Sequence, residues 1–276
     1  MSFNILREDL GGSGHRWADR KQAALKMIDN NYPTLIGLQE CSWTIREDLL
    51  NADSRRKAIG NSVNDETIGY TSTSSNSIVY RSDIYQVVKS GQFWFSDTPD
   101  EVSNVWTAES EPKPRVCTWA RFRIIATGKE FYHFNIHLHN GSAYNPLSDS
   151  YIGDSRTKSL NLLFKRIGEE NSAGLPVIIT GDHNESDDSS NAVSDLGSDV
   201  YKAYRNSGYT SARWIAPSTD KDRTLNSFGE KKTDVIDHIY VNNLCTVSRF
   251  YVDRNSYEGV KYVSDHYPVF CELTLN

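Results

Sequence analysis

Short apolar segments that end in carboxylate, amide or imidazole side chains recur along the chain, and this pattern constrains the fold most. The clearest case is Val177-Ile178-Ile179, which is followed by Thr-Gly-Asp-His-Asn at 180–184. Because side chains alternate across a strand, Asp182 and Asn184 are predicted to share one face and His183 to point to the other. An ordinary Gly-Asp-X-Asn turn would explain the same residues without any function. The rest of the chain must decide between the two interpretations.

The other periodic segments predict strands and helices in alternation. Apolar residues at helical spacing indicate helices, and short β-branched or aromatic runs indicate strands. The predicted helices are 17–30, 42–50, 155–167 and 199–206, and the predicted strands are 1–5, 35–38, 77–80, 85–95, 118–125, 130–138, 177–180, 235–241, 245–251 and 269–275. Many strands with few helices favour sheets packed on each other with helices outside.

Length and composition fit one large domain. The chain has 276 residues, of which 38% are hydrophobic and 24% charged, so it can bury a sizeable core. It contains no Pro-rich or Gly/Ser-rich linker and no repeat of fixed period. The polar stretch at 51–77 is interpreted as a surface loop. A single domain over residues 1–276 is therefore expected.

Charge, cysteines and hydropathy restrict the classes of function. A net charge of -6 argues against a broad basic surface for nucleic acid, although it allows a local cationic cleft. Cys41, Cys117, Cys245 and Cys271 show no CxxC spacing, so neither a zinc site nor a disulfide framework is indicated. No apolar run predicts a transmembrane segment, and no signal peptide is recognisable. The compartment stays open, because a cytoplasmic protein and an exported one with its signal removed both fit.

Six of the apolar strands carry, precede or follow polar residues of the same kind. Each residue alone can be a cap, a turn or a partner of the backbone. Together they are hard to explain structurally, because buried carboxylates are costly unless a cation balances them. The residues are Asn4, Glu40, Asn135 with His137, Asp182 with Asn184, Asp237, and Asp265 with His266.

Phosphoester hydrolysis is the chemistry that needs this set. Mg²⁺ prefers oxygen ligands, typically one or two carboxylates with water and substrate phosphate, which Glu40 and Asp265 could supply. A histidine held by a carboxylate serves as acid, base or charge stabiliser, as expected for His266 with Asp237. The candidates for binding phosphate oxygens are Asn135, His137, Asn184, Arg115 and Arg156.

These motifs resemble those of the endonuclease/exonuclease/phosphatase family, which includes DNase I-like nucleases, abasic-site endonucleases, neutral sphingomyelinases and inositol polyphosphate 5-phosphatases. They occur in family order and span almost the whole chain. The matching stretches are Ser2-Phe3-Asn4-Ile5, Leu38-Gln39-Glu40, Asn135-Ile136-His137-Leu138, Thr180-Gly181-Asp182-His183-Asn184, Ile236-Asp237-His238-Ile239 and Ser264-Asp265-His266-Tyr267-Pro268.

The resemblance implies an α/β fold, namely a four-layer α/β/β/α sandwich of two packed mixed sheets flanked by helices. It places the active site where the sheets open and implies Mg²⁺ as the cofactor, with Mn²⁺ as an alternative ion. Asn4 and Glu40 would lie at the metal, and Asp265 would be a further ligand.

The resemblance also assigns roles in catalysis. His137 and Asn184 would contact the scissile phosphate, and Asp182 would orient or deprotonate the attacking water. Asp237 would hold His266. It leaves open whether Asp182 or His266 is the general base, and whether one or two metal ions take part.

The chain departs from the family pattern at two histidines. His183 stands where family members commonly carry an aromatic or aliphatic residue, and by alternation it faces away from the phosphate, so a packing role is expected. His139 stands where an Asp is frequent. It is expected on the same face as His137, within reach of substrate.

Two further stretches resemble a bacterial subgroup related to the Ccr4-type branch, namely 93–99 and 114–120. Arg156 also matches that subgroup. Trp94 and Trp119 in these stretches are expected to pack in the core, since aromatic residues dominate cores. Arg115 is a candidate phosphate ligand.

The expected substrate is a phosphate ester, and nucleic acid or nucleotides rank first because of the Ccr4-type resemblance. Trp106, Tyr144 and Trp214 are candidates for base stacking. A phosphorylated sugar, inositol or lipid headgroup ranks second, and a catalytically silent binding module is a third alternative. No obligate protein partner is indicated. Specificity is expected to reside in loops at 54–76, 97–113, 139–150 and 211–232.

Overall fold

A computed structural model of the chain shows strands and helices in alternation. It describes residues 1–60, 75–106, 114–140, 152–186, 199–220, 222–230 and 234–276. The α-helices are α1 (Trp17–Asn31), α2 (Trp43–Ala52), α3 (Ile152–Glu170), α4 (Asp199–Asn206) and α5 (Ala212–Ile215). The strands are β1 (Ser2–Asn4), β2 (Leu35–Gln39), β3 (Arg56–Ile59), β4 (Ser77–Arg81), β5 (Tyr85–Trp94), β6 (Val116–Ile124), β7 (Glu130–His137), β8 (Val177–Asp182), β9 (Thr210–Ser211), β10 (Ser218–Thr219), β11 (Asp237–Val241), β12 (Cys245–Val252) and β13 (Val269–Leu275).

The strands form two mixed sheets. Sheet A has the order β10-β12-β13-β1-β2-β4-β3, and sheet B has the order β5-β6-β7-β8-β11-β9. In sheet A, β1 is parallel to β2 and antiparallel to β13. In sheet B, β7 is parallel to β8, which is antiparallel to β11. The C-terminal ends of β7 and β8 therefore lie beside the N-terminal end of β11.

Three apolar clusters separate the layers of the molecule. The first packs α1 and α2 on sheet A, with Trp17 and Ile45 among its buried side chains. The second packs α3 and α4 on sheet B around Leu163 and Tyr204. The third fills the space between the sheets and includes Phe122. The four-layer α/β/β/α sandwich expected from the sequence is thus confirmed.

The sheets come close together at Gly37 in β2. A Cβ atom at this position would lie 2.0 Å from Thr180 Oγ1 and 2.6 Å from Asn135 Oδ1. Thr180 Oγ1 donates to Asn135 Oδ1 over 3.0 Å, and Gln39 Nε2 donates to the same oxygen over 2.7 Å. A buried polar network therefore joins the sheets at this point.

Most element boundaries agree with the sequence-based predictions, and the exceptions are one strand start and several short elements. The strand predicted at 235–241 begins only at Asp237. Strand β3 lies inside the stretch interpreted as a loop at 51–77. The very short β9, β10 and α5 were not predicted, because elements of two to four residues have no detectable period.

Several features lie away from the strand ends or outside the described ranges. A cavity of about 640 Å³ opens between the sheets, lined by Tyr85, Phe131 and Leu273 among others and by none of the predicted site residues.

None of the described helices is long and apolar enough to cross a membrane. Tyr144 and parts of the loops expected to set specificity, namely 61–74, 107–113 and 141–150, lie outside the described residues.

Candidate active site

The predicted residues of sheet B meet at adjacent strand ends. His137 is the last residue of β7 and is in register with Asp182, the last residue of β8. Asp182 is in turn in register with Asp237, the first residue of β11. Three titratable side chains, all almost completely buried, thus form a row at one edge of the sheet.

Asn4 links this row to sheet A. Its Nδ2 donates to Asp182 Oδ2 over 3.0 Å and to Glu40 Oε1 over 3.3 Å. Its Oδ1 accepts the backbone N–H of Leu6 over 3.1 Å, which fixes the orientation of the amide. The Asn4 amide therefore bridges two carboxylates of the site, and its role as a metal ligand stays a prediction.

Glu40 follows β2 in a left-handed conformation with φ of 56°. Such a conformation is strained for a residue with a side chain and persists where the surroundings hold it. Its carboxylate accepts from Asn4 at 3.3 Å and from the backbone N–H of Arg7 at 3.5 Å, both long for hydrogen bonds. Lone pairs of this half-buried carboxylate remain available for a cation.

Asp265 and His266 lie in the segment before β13, which is tied to its neighbours. Ser264 Oγ donates to the carbonyl of Asn4 over 2.7 Å and accepts the N–H of His266. The carbonyl of Asp265 accepts the N–H groups of Asn226 and Ser227. The segment therefore has a fixed position relative to β1.

His266 lies between two carboxylates. Its Nδ1 donates to Asp237 Oδ2 over 2.9 Å, and its Nε2 lies 3.8 Å from Asp182 Oδ2. Burial lowers the pKa of His266, but the charges of Asp237 and Asp182 and the hydrogen bond to Asp237 together raise it well above the usual value. The imidazole is therefore held in its charged form.

Asp182 and His137 have shifted pKa values of different origin. The pKa of Asp182 is raised to about 6. Burial is the largest cause, the charge of His266 opposes it, and the charge of the nearby Asp237 adds to it. Burial and the neighbouring Arg115 lower the pKa of His137 well below the usual value. A neutral His137, with its Nε2 3.4 Å from Asp182 Oδ2, thus accompanies a carboxylate that titrates near neutrality.

Asn184 reaches the same region by a turn and not by strand alternation. β8 ends at Asp182, and Asn184 has a φ of 51°. Its N–H donates to Asp182 Oδ1 over 2.9 Å, and its Nδ2 donates to the carbonyl of Leu138 over 3.0 Å. The prediction that both side chains alternate on one strand face is therefore wrong. The turn interpretation describes the local backbone, and the turn still places Asn184 beside Asp182.

Asn135 is not brought to the site. Its Oδ1 accepts from Gln39 and Thr180, and its Nδ2 donates to the carbonyls of Leu38 and Ser77. The side chain is completely buried with both of its polar atoms engaged. The structure corrects the expectation that Asn135 binds phosphate, because this amide belongs to the network that joins the sheets.

The two predicted arginines are buried and held in place. Arg115 donates to Asn140 Oδ1 over 2.7 Å, and its charge acts on His137. Arg156, on α3, donates to Glu185 Oε2 over 2.9 Å and to the carbonyl of His139 over 3.1 Å. Arg115 therefore lies within electrostatic range of the row at the end of sheet B.

The remaining predicted side chains have packing positions. His183 is completely buried and packs against Tyr204 of α4, as expected for a packing role, with Nδ1 3.0 Å from the carbonyl of Gly181 and Nε2 2.8 Å from Tyr204 Oη. Trp94 and Trp119 are buried, which confirms their predicted role in packing. His139 is also buried and follows the end of β7, so strand alternation does not apply to it.

One residue outside the recognised motifs helps to place the site. Thr224 is completely buried, and its Oγ1 accepts the N–H groups of Ile236 and Asp237 over 3.0 and 3.1 Å. Its carbonyl accepts the N–H of Tyr267. Because these contacts join distant segments through the main chain, no local sequence pattern could have revealed them.

Two groups of side chains offer ligands for a metal ion. Ligand atoms of Asp182, Asp237 and His266 lie within 4.8 Å of one another. However, His266 Nδ1 already donates to Asp237, so this group is better suited to holding protons. Glu40, which accepts from Asn4, and Asp265, whose charge acts on His266, are half-buried carboxylates, and oxygen donors of this kind fit Mg²⁺.

Comparisons with known proteins give a consistent result. An endonuclease/exonuclease/phosphatase from Bacteroides vulgatus is 25% identical, with a TM-score of 0.81 over 100% of this chain and 97% of the other. A mannosyl-6-phosphatase from Bacteroides thetaiotaomicron is 27% identical, with a TM-score of 0.79 over 99% and 98%. The uncharacterized protein L388 of Acanthamoeba polyphaga mimivirus is 23% identical over 93% of this chain and 92% of its own.

The sequence profile of one family covers nearly the whole chain. It is described as the Endonuclease/Exonuclease/phosphatase family and matches residues 1–266, which include every strand-end residue described above. Members of this family are hydrolases that act on phosphoester bonds and generally depend on a divalent metal. The chain therefore belongs to the endonuclease/exonuclease/phosphatase family of phosphoester hydrolases.

Proposed function

We propose that the protein is a Mg²⁺-dependent phosphoesterase that hydrolyses the phosphate ester of a small polar substrate, with a phosphorylated sugar as the favoured class. The observation that carries this proposal is the position of Asp182. Its carboxylate lies between Asn4, His137 and His266, and Asn4 also contacts Glu40. The proposed base Asp182 and the proposed metal ligand Glu40 thus lie beside the same amide, that of Asn4. Because both sheets contribute, we further propose that residues 1–276 form one catalytic domain.

Glu40 and Asp265 are the residues that would hold the ion. When bound, Mg²⁺ would stabilise negative charge that develops on the leaving oxygen. Mn²⁺ would serve as an alternative ion because it accepts similar oxygen ligands. Asn4 keeps Glu40 and Asp182 at hydrogen-bonding distance from a common amide and so positions both carboxylates.

Proton transfer is assigned to Asp182. A general base works best when its pKa lies near the working pH, and burial brings the pKa of Asp182 to about 6. His266 is a poor base because its neighbours hold it protonated, so its charge would stabilise the phosphate instead. Asp237 keeps the imidazole ring in place through Nδ1. His137, Asn184, Arg115 and Arg156 would bind the phosphate oxygens.

A small phosphorylated substrate is favoured over nucleic acid, which reverses the order expected from the sequence. The mannosyl-6-phosphatase is 27% identical over nearly the full length of both chains. The net charge of -6 disfavours a long polyanion. Trp106, which was expected to stack on bases, packs against the second apolar cluster. These observations support a substrate that needs only a few clamping groups.

The proposal is tested by hydrolysis of a panel of phosphate esters with Mg²⁺ and with EDTA. The panel contains hexose 6-phosphates, inositol phosphates, nucleotides, single-stranded DNA, RNA, abasic duplex, sphingomyelin and bis-p-nitrophenyl phosphate. We expect Mg²⁺-dependent release of phosphate from a hexose phosphate and loss of that activity in Asp182→Asn. Activity that survives EDTA would contradict the metal mechanism, and cleavage of nucleic acid alone would overturn the substrate class. A protein that binds these esters without cleaving any would support the silent binding module.

A further inference from the structure

Arg20 is a completely buried cation on the apolar side of α1, between the buried residues Trp17 and Ala23. Its guanidinium donates to five main-chain carbonyls and lies 5.3 Å from the centre of the Trp17 ring. A guanidinium with this number of carbonyl partners is a fixed part of the structure and not a solvated charge. The acceptors are the carbonyls of Ile5, Leu6, Arg7, His15 and Val263.

These contacts join the two segments that carry the proposed site in sheet A. The segment 5–7 follows Asn4, and the N–H of Arg7 points to Glu40. Val263 directly precedes Ser264, Asp265 and His266. One side chain therefore fixes the segment 5–7, whose N–H at Arg7 contacts Glu40, and the residue Val263, which lies two positions before Asp265.

Leu6 has a strained backbone that the contact with Arg20 helps to hold in place. Its φ of 57° is a left-handed conformation that an aliphatic residue adopts only under strain. Its N–H is held by Asn4 Oδ1 at 3.1 Å, and its carbonyl is held by Arg20. The strained turn thus sets the orientation of the Asn4 amide, which donates to both Glu40 and Asp182.

The charge of Arg20 acts on the same carboxylates. Burial lowers the pKa of its guanidinium to about 10, and the charges of Asp265 and Glu40 oppose that shift. Because its hydrogen bonds go to carbonyls, the guanidinium balances the two acids without occupying their oxygens. The oxygens of both carboxylates are therefore left free of Arg20 for a cation.

We propose that Arg20 is a positioning residue that aligns Glu40, Asp265 and the Asn4 amide for the divalent ion and the attacking water. The inference rests on the proposed function, because it assigns Arg20 a task in that same site. Arg20 touches neither substrate nor ion. It acts through the main chain of 5–7 and 263–265.

The test is Arg20→Lys, which keeps the positive charge but cannot reach five carbonyls from one nitrogen. We expect Mg²⁺ binding measured by calorimetry to weaken about tenfold or more, as for other residues that orient metal ligands. At saturating Mg²⁺, kcat should fall about a hundredfold, because small displacements of catalytic groups cost that much. KM should change little, since Arg20 makes no hydrogen bond to the groups assigned to bind the phosphate oxygens, which are His137, Asn184, Arg115 and Arg156.

Ile28→Ala is the matched control. Ile28 is completely buried further along α1, so its truncation lowers the melting temperature without changing the carbonyl contacts of Arg20. We expect this variant to keep wild-type Mg²⁺ affinity and kcat. If Ile28→Ala and Arg20→Lys lose affinity and kcat in proportion to their melting temperatures, Arg20 is only structural. If Arg20→Lys equals the wild type, the inference fails alone, whereas a wild type that binds no Mg²⁺ overturns the proposed function and the inference together.

A second measurement on the wild type covers the case in which Arg20→Lys does not fold. Buried guanidinium protons of ¹⁵N-arginine-labelled protein should give a resonance that is assigned through its proximity to the Trp17 indole. Mg²⁺ should shift this resonance with the same Kd that calorimetry gives. A resonance that stays in place at saturating Mg²⁺ would overturn the inference.

Discussion

Left-handed backbone at residues that carry side chains marks the ends of the strands that form the site. Leu6 follows β1, Glu40 follows β2 and Asn184 follows β8, with φ values of 57°, 56° and 51°. Such a conformation costs about 1–2 kcal/mol for most residues and less for Asn. At Leu6 and Asn184 it turns a backbone N–H towards a site side chain, namely Asn4 and Asp182. The sequence pattern assumes regular backbone, so it identified Glu40 and Asn184 without showing how they are placed, and it did not single out Leu6.

At the same scale, Asp182 predicts how the rate depends on pH. Its pKa is raised to about 6, so the carboxylate is lost as pH falls through about 6 and not through the usual value near 4. With Asp182 as the base, kcat/KM at saturating Mg²⁺ should fall about tenfold per pH unit below this range and level off above it, until His266 loses its proton at higher pH. A pH–rate profile on the phosphodiester bis-p-nitrophenyl phosphate measures this limb, because a phosphomonoester substrate would itself titrate at about pH 6.

Asn4→Ala provides the control for that profile. The hydrogen bond from Asn4 lowers the pKa of Asp182 by favouring the charged form, so its removal should move the acid limb to higher pH. The maximum rate should fall as well, because Glu40 loses the same partner. An acid limb near pH 4 in the wild type would show that Asp182 is not the base.

At the scale of elements, the sequence predicted which strands carry candidate site residues better than it predicted the contacts that those residues make. β8, β11 and β13 were recognisable because each is an apolar run next to polar residues. Asn135, two residues before His137 in β7, looked equally functional, but it lies one pair deeper between the sheets and bonds to Gln39 and Thr180. Sequence alone cannot separate such positions, because depth along a strand depends on how the second sheet is packed.

Gly37 provides a test of how closely the two sheets pack. The Cβ of Gly37→Ala would lie 2.0 Å from Thr180 Oγ1, so the sheets must separate or the buried network must rearrange. Overpacking of this kind typically costs about 1–3 kcal/mol. Urea denaturation should show a loss of that size in the free energy of unfolding.

Gly168→Ala is the matched substitution in a helix. Gly168 lies in α3, where an added Cβ meets nothing within 4 Å. Ala is favoured over Gly in helices by about 0.5–1 kcal/mol, so this variant should be slightly more stable. A Gly37→Ala variant as stable as Gly168→Ala would mean that β2 does not approach sheet B closely.

At the scale of the whole molecule, the site exists only when the sandwich is assembled. Sheet A contributes Asn4, Glu40 and the segment before β13, and sheet B contributes His137, Asp182 and Asp237. The order of motifs in the sequence was enough to identify the fold, because this arrangement recurs in the family. The sequence could not show that Asn4 bridges the sheets through its nitrogen, since that depends on the turn at Leu6.

Assembly from both sheets predicts that Mg²⁺ stabilises the folded protein. An ion that binds only the native state at 100 times its Kd adds about 2.7 kcal/mol to the free energy of unfolding. For a chain of this size that corresponds to a rise in Tm of several degrees, on the order of 2–4 °C per kcal/mol.

Glu40→Gln keeps the shape of the side chain but removes its charge, so most of this rise should disappear. Glu272→Gln makes the same chemical change in β13, where the carboxylate is paired with Arg249, and should keep the full rise. Thermal denaturation of the three proteins with and without Mg²⁺ decides the matter, because an undiminished rise in Glu40→Gln would place the ion away from Glu40.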